Sequence, residues 1–416
     1  MNLGKKRILF IGHVWPEPSS SAAGVRILQL IESCIEENYE VHFFCAAQKS
    51  EYSADLNSLG VFTEQIHLND SSFNQQLEVI NPFIVVFDRF MTEEQFGWRV
   101  QQVCPSALKV LDTEDLHFLR RSRQLAVKEQ REIKFDDYVS SGAKREIASI
   151  LRCDVSLIIS SFEMRLLQEE FNISSILLYL LPMWSDVLKW DLQKKHTKGF
   201  HDRKNIVFIG NFLHDPNYDA VIHLKKNVWP LLRKQLKDVE LHIWGAYSGP
   251  KVLQLHQPKE GFYVCGRADT LDQVFSSAKI LIAPLRFGAG VKGKLIDAMY
   301  YGVPSVTTSI GAESMCSSAS DWGGAIEDSI EGLIKATVEL YSKEENWNNA
   351  RFKGYNLLQK YFVLKNTSWL DHLVNVQSNL KKQRQSNFIG MLLSDEATQS
   401  LKYMSKWIEA KNRLEN

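Results

Sequence analysis

Two successive series of short, apolar, β-rich runs, most of them separated by stretches with helical spacing, constrain this chain more than any other feature. The first series is Arg7 to Gly12, Val41 to Cys45, Phe83 to Phe87, Leu108 to Leu111, Val155 to Ile159 and Ile176 to Leu180. Helical patterns cover Val25 to Glu37, Glu93 to Val103 and Ala143 to Leu151. Parallel strands need crossover connections, and helical crossovers cover both faces of the sheet, so this alternation predicts a mostly parallel, doubly covered sheet. The pattern then restarts with Ile206 to Ile209, Val239 to Trp244, Phe262 to Cys265, Ile280 to Ala283 and Ser305 to Thr308. From about Trp347 onward only helical patterning remains. The reading is an α/β chain of two doubly wound, Rossmann-like domains with a helical C-terminal tail. The expected boundaries are residues 1–193, a basic exposed linker over 194–204, a second domain over 205–365, and a tail over 366–416 that packs across both domains, packs back on the first, or stays partly loose.

Composition narrows the functional classes. A length of 416 residues suits two domains, and 44% hydrophobic with 24% charged residues describes a folded globular chain. Lysine plus arginine number 49 and aspartate plus glutamate 49, so no net field favours nucleic acid. The six cysteines are scattered without a C-x-x-C pair, which suits buried free thiols better than a zinc or redox motif. Lys5, Lys6 and Arg7 precede only the short run Ile8 to Gly12, too short for a signal-peptide core or a membrane span. The chain reads as cytoplasmic, working in solution or at the inner face of a membrane.

The chemistry concentrates in one stretch, Pro284 to Met299, where an apolar strand runs through Arg286, Phe287, Gly288, Ala289, Gly290, Val291, Lys292, Gly293 and Lys294 into a helix. Glycines let backbone amides approach a phosphate without Cβ interference, and a helix entrance adds free N–H groups and a positive dipole end. Lys292 and Lys294 place two cations there. Asp297 lies one turn beyond Lys294 on the same face, where a carboxylate suits the two hydroxyls of a ribose. Phosphate cations followed by a ribose acceptor describe a nucleotide site. The plainer alternative is a tight turn with surface lysines and a carboxylate complementing the helix dipole.

The order of residues from Gly261 to Glu313 resembles the donor-binding half of family 4 glycosyltransferases. It runs Cys265-Gly266-Arg267, Asp272, Ser277-Ala278-Lys279, Ala283 to Lys292, Asp297-Ala298-Met299, Gly302 to Thr308 and Ile310-Gly311-Ala312-Glu313. Val207 to Asn211 with Pro216, Asn217 and Ala220 extends the resemblance, which spans roughly Asn205 to Leu340. It implies a GT-B architecture, two Rossmann-like domains facing a cleft, and a retaining transfer from a nucleotide-sugar. The donor would meet Gly12, Gly24, Gly210, Asn211, Gly266, Arg267, Gly288, Gly290, Val291, Lys292, Lys294 and Asp297. The first-domain loop Pro16 to Gly24 matches more weakly, since Ala22-Ala23-Gly24 stands for the usual paired glycines.

Three positions depart from the family pattern. Asp297 stands for its glutamate, Ala289 for a second glutamate, and Asn211 for a basic residue. Without a D-x-D or a metal-ligating cluster in the sequence, the resemblance implies no metal and no cofactor beyond the nucleotide-sugar co-substrate. The family's His-Asp pair falls on Glu114 and Asp115, with His117 displaced, so Glu114, Asp115 and His117 are the expected catalytic contacts, after a strand end where such sheets bind ligands. Asp115 could equally cap the helix that follows. Arg120, Arg121, Arg123, Lys128, Arg131 and Lys134 could hold an anionic, lipid-linked acceptor or touch a membrane, or simply form a solvated helix face. The expected partners are a nucleotide-diphosphate sugar and a glycan or lipid-linked acceptor. The rival functions are a nucleotide-sugar epimerase, a phosphorylase, and a catalytically silent module that kept the donor fold.

Overall fold

The computed structural model describes residues 5–184, 197–362 and 368–415. Residues 1–4, 185–196, 363–367 and 416 lie outside them, and with them the first three residues of the expected linker 194–204. Seven parallel strands form the first sheet: β1 (Arg7–Gly12), β2 (Glu40–Cys45), β3 (Phe62–Gln65), β4 (Ile84–Asp88), β5 (Leu108–Asp112), β6 (Val155–Ile158) and β7 (Leu178–Leu180). Their order is β3-β2-β1-β4-β5-β6-β7. Six more make the second: β8 (Asn205–Ile209), β9 (Leu241–Trp244), β10 (Phe262–Gly266), β11 (Ala278–Ala283), β12 (Ser305–Thr307) and β13 (Gly324–Ile326), in the order β10-β9-β8-β11-β12-β13.

The central strands β4, β5, β6 and β11 are buried at every position, as expected where helices cover both faces. Strand order reverses between β1 and β4 in one sheet and between β8 and β11 in the other, so each sheet opens a crevice at its carboxyl end. The alternation of the sequence therefore gives two doubly wound sheets. Two strands are not legible in it: β3, whose Phe62 is 57% exposed, and the three-residue β13 are edge strands that bury too little to leave an apolar signature.

Beneath the first crevice lies an ion pair with no access to water. Arg26, on helix Ala22–Glu36, donates from Nε to both oxygens of Asp112 at the end of β5, at 2.9 and 3.1 Å, and from Nη1 to the Leu181 carbonyl at 2.8 Å. The C-terminal helices return to the first sheet. Trp369, Leu370 and Leu373 of helix Ser368–Ser378 share a core with Ile8, Phe10, Ile84 and Val86. Arg384 pairs with Asp154 at 2.8 Å, and Glu409 of helix Thr398–Glu415 accepts from the Ser71 hydroxyl at 2.6 Å. No helix among the described residues is long and apolar enough to cross a membrane.

Candidate active site

The two carboxyl ends face each other across a cleft of about 630 Å³. One wall is the loop after β11 and the helix Gly293–Tyr300 that the loop opens. Gly290 sits at φ 65°, a left-handed conformation that a side chain resists, and a Cβ there would come within 2.9 Å of the Asp115 Cβ across the cleft. Lys292 and Lys294 both line the cleft. The Lys292 ammonium donates to the Gly290 carbonyl at 2.7 Å, and the Lys294 ammonium to Asn217 Oδ1 at 2.6 Å. Asn217 in turn donates to the Asn211 carbonyl at 2.8 Å. One turn along, Asp297 faces the same space, and its carboxylate has no hydrogen-bond or ion-pair partner among the described residues.

Burial lowers both lysines to a pKa of about 8; for Lys294 the neighbouring Lys292 adds to this, whereas Glu313 opposes it at Lys292. Burial pushes Asp297 up to about 7, against the opposing pull of Lys294. Two cations crowded at a helix entrance with lowered pKa values hold their protons more firmly once an anion binds. The sign of the pH dependence follows. Both ammoniums are protonated below about 8 and lose their charge above it, so affinity for a nucleoside diphosphate should fall steadily between pH 7.5 and 9.5 in calorimetric titrations. Stability of the unliganded fold runs the other way. The depressed lysine pKa values cost stability at neutral pH, and that cost lifts as pH climbs from about 8 towards the ordinary lysine value of 10.5.

The opposite wall carries Glu114, Asp115 and His117. Asp115 pairs with Arg120 and lies 3.4 Å from His117 Nε2. Burial alone would raise the Asp115 pKa, but Arg120, His117 and His214 together hold it below the usual carboxylate range. Burial drives His117 down to about 3 and His214 to about 4, so both imidazoles are neutral at physiological pH. Asp115 does not cap the next helix. Glu146 does so instead, accepting the N–H groups of His117 and Phe118 at 3.0 and 2.9 Å. With that task taken, Asp115 is left for its ion pair and for the cleft.

A buried carboxylate ties the two walls together. Glu163 Oε1 accepts the Leu116 N–H at 3.1 Å on one side and the Gly290 N–H at 2.7 Å on the other. Arg123 forms a second tie, bidentate to Glu313 at 2.6 and 2.9 Å and donating to the Gly288 carbonyl at 2.8 Å. At the rim, Arg267 donates to the Ser19 hydroxyl at 2.8 Å and Tyr247 to Glu17 at 2.8 Å. The basic stretch from Arg120 to Lys134 is therefore not one open cationic patch: Arg120, Arg123 and Arg131 are held by Asp115, Glu313 and Asp137. Glu163→Ala strands two buried N–H groups, each worth about 1–3 kcal/mol, and lets the walls drift apart. Donor hydrolysis should drop at least about tenfold with nucleotide affinity much less affected, while Glu163→Gln, whose Oε1 still accepts, keeps most of the rate.

Among the residues singled out in the sequence, Gly210, Asn211, Arg267, Gly288, Gly290, Val291, Lys292, Lys294, Asp297, Glu114, Asp115 and His117 all line the cleft. Gly12, Gly24 and Gly266 are not among its lining residues. Gly12 packs against Phe43 and Gly24 against the Glu17 backbone, where a Cβ would meet atoms at 2.3 and 2.5 Å. Gly266 ends β10 at φ 77°, one residue before the cleft-lining Arg267. The sequence gives no sign of His13, Arg89, Glu163 and His214, since a lone charged residue carries no spacing signal, and it shows Glu313 only as the end of the motif Ile310-Gly311-Ala312-Glu313.

Residues 203–343, which contain β8 to β13 and the lysine helix, match the family described as Glycosyl transferases group 1. This segment belongs to that family. The group 1 segment is joined by one curated relative, an uncharacterized 44.6 kDa protein in the cps region of Klebsiella pneumoniae, 31% identical over 166 residues. That match covers 38% of this chain and spans 42% of the Klebsiella protein's length. Sucrose-phosphate synthase from Thermosynechococcus elongatus superposes with a TM-score of 0.60 at 13% identity, over 92% of this chain and 100% of that one. Anabaena HepE in complex with UDP and glucose superposes at 0.61 and 11% identity, over 91% and 99%. At such identities the likeness concerns the fold, which is GT-B: a group 1 domain facing a second Rossmann-like domain.

Proposed function

We propose that this chain is a retaining, metal-independent glycosyltransferase, moving a sugar from a nucleoside diphosphate sugar to a glycan, lipid-linked or small-molecule acceptor. In this reading residues 1–193 form the acceptor-side domain, 205–365 the donor domain and 366–416 the helical tail. The observation that carries the reading is the cleft wall itself, with a buried and a half-buried ammonium at one helix entrance and a carboxylate one turn further on. Negative charge builds on the departing diphosphate as the glycosidic bond breaks. Lys292, Lys294 and the amides of the glycine loop are placed to meet that charge without a metal. Asp297 then accepts from the ribose hydroxyls, and Asn211 and Arg267 complete the nucleotide side.

On the other wall, Asp115 stays ionised and His117 neutral, so the pair can orient hydroxyls of the transferred sugar or the acceptor. The group 1 segment supports the donor assignment, the UDP in the HepE structure makes UDP the first nucleotide to try, and the cps region of the Klebsiella relative supports an acceptor in polysaccharide assembly. An inner-membrane-face location suits a lipid-linked acceptor. The ribose role is tested by Asp297→Asn: affinity for UDP should fall about tenfold while affinity for inorganic pyrophosphate stays unchanged, as carboxylate-to-hydroxyl hydrogen bonds are worth about 1.5–3 kcal/mol. Equal losses for the two ligands would reject it. A catalytically silent donor module is favoured by Ala289 and Asn211, which replace an acid and a base of the family pattern. Slow release of UDP from a UDP-sugar without acceptor separates the active reading from the silent one.

A further inference from the structure

The first domain's wall holds a charged group that the donor site does not use. Arg89 follows β4 directly and lines the cleft with His13, Glu114 and His117. Its backbone is left-handed at φ 68°, and so is that of Glu114 at φ 60°, beyond the end of neighbouring β5. Two such non-glycine residues side by side carry strain that persists only where the surroundings dictate it, and such strain gathers at ligand clamps.

The polar groups here are also incompletely satisfied. The Arg89 guanidinium makes no hydrogen bond among the described residues; its ion pair, Nε to Asp88 Oδ1, spans 3.6 Å, beyond hydrogen-bond reach. Asp88 Oδ1 and Glu114 Oε1 are buried without a partner, and Asp88 is only 4% exposed. Native proteins leave few buried polar atoms unpaired, and a missing ligand is one physical reason for an exception. Unused donors of Arg89 and an unused acceptor of Glu114 stand together on one wall, and the buried Asp88 adjoins Arg89.

Charge selects what fits. Asp88, Asp112, Glu114 and Asp115 surround Arg89, while Asp112 is matched by Arg26 and Asp115 by Arg120. The guanidinium's charge is already offset, so an anionic ligand gains little. A hydroxyl pair, by contrast, can accept from the guanidinium fork and donate to the carboxyl oxygens. We propose that Arg89 and Glu114, with Asp88 backing the guanidinium, form a subsite that grips a vicinal diol of a neutral sugar ring. This rests on the glycosyltransferase reading, and the ring belongs either to the donor or to the acceptor.

Arg89→Lys keeps the charge but loses the fork, and Arg89→Ala removes both. Calorimetry would compare UDP, UDP-glucose and UDP-galactose. Saturation-transfer NMR in the presence of UDP would compare methyl glucoside and methyl galactoside with methyl glucuronoside. In both variants UDP affinity should stay within twofold of the wild type. If the ring is the donor's, the UDP-sugars lose at least fivefold relative to UDP; if it is the acceptor's, the neutral glycoside signals vanish. Variants that change neither, a wild type that binds no neutral ring, or a wild type that prefers the glucuronoside would each overturn the subsite. Failure of the wild type to bind UDP would instead remove the donor-site reading beneath it.

Discussion

Replacing Lys294 with alanine should weaken UDP binding by between about tenfold and 150-fold while leaving the fold intact. The ammonium sits at a helix entrance, lines the interdomain cleft and donates to Asn217 Oδ1 at 2.6 Å. A charge-assisted hydrogen bond to phosphate contributes about 1.5–3 kcal/mol, and each 1.4 kcal/mol is a factor of ten. Burial lowers the pKa to about 8, so the unliganded protein gains nothing in stability from this charge at neutral pH, and alanine there should not lower the unfolding midpoint. Lys292→Ala should act in the same direction. Its ammonium also holds the Gly290 carbonyl at 2.7 Å, so that variant carries an added loss from a loosened loop. Isothermal titration gives the affinity and thermal unfolding the fold. An affinity unchanged in both variants would remove the diphosphate from this helix entrance.

The second large effect is structural. Arg26→Ala should destabilise the first domain by about 3–5 kcal/mol, because it leaves the Asp112 carboxylate buried without its counter-charge. Arg26 and Asp112 are both fully buried, and Arg26 also carries the Leu181 carbonyl. Replacing the pair together, Arg26→Met with Asp112→Leu, should recover most of the loss, since a buried ion pair is often no more stable than an apolar pair of similar volume. Urea unfolding followed by the first domain's signals separates the two cases, given that a two-domain chain need not unfold in one step. A mild loss in the single variant, or a double variant as unstable as the single, would contradict the assignment of this pair as the floor of the crevice.

Legibility in the sequence tracked burial and spacing. Continuous apolar strands such as Ile84 to Phe87 and Ile280 to Ala283 announce themselves, whereas edge strand Phe62–Gln65 exposes its aromatic residue and has no such pattern. The helix expected from Val25 begins three residues earlier, at Ala22, because Ser21 caps it by accepting the Gly24 N–H at 3.1 Å. On the second domain's wall, glycines, lysines and Asp297 lie within one short stretch, so their chemistry can be read together. The first domain's wall is assembled from the ends of several strands, and residues such as Arg89, Glu114 and His13 come to line it only after folding. The capping of helix His117–Lys128 shows why: Glu146 performs it from another helix, 29 residues on from His117, where no local motif could reveal it.

The central claim is that this cleft holds a nucleoside diphosphate sugar and stabilises the diphosphate as it leaves. The most direct measurement is the time course of UDP release from a panel of UDP-hexoses, without acceptor, by the wild-type chain and by a Lys292→Ala, Lys294→Ala double variant. Slow release by the wild type and none above background by the double variant is the expected result. Equal release by the two proteins would contradict the account.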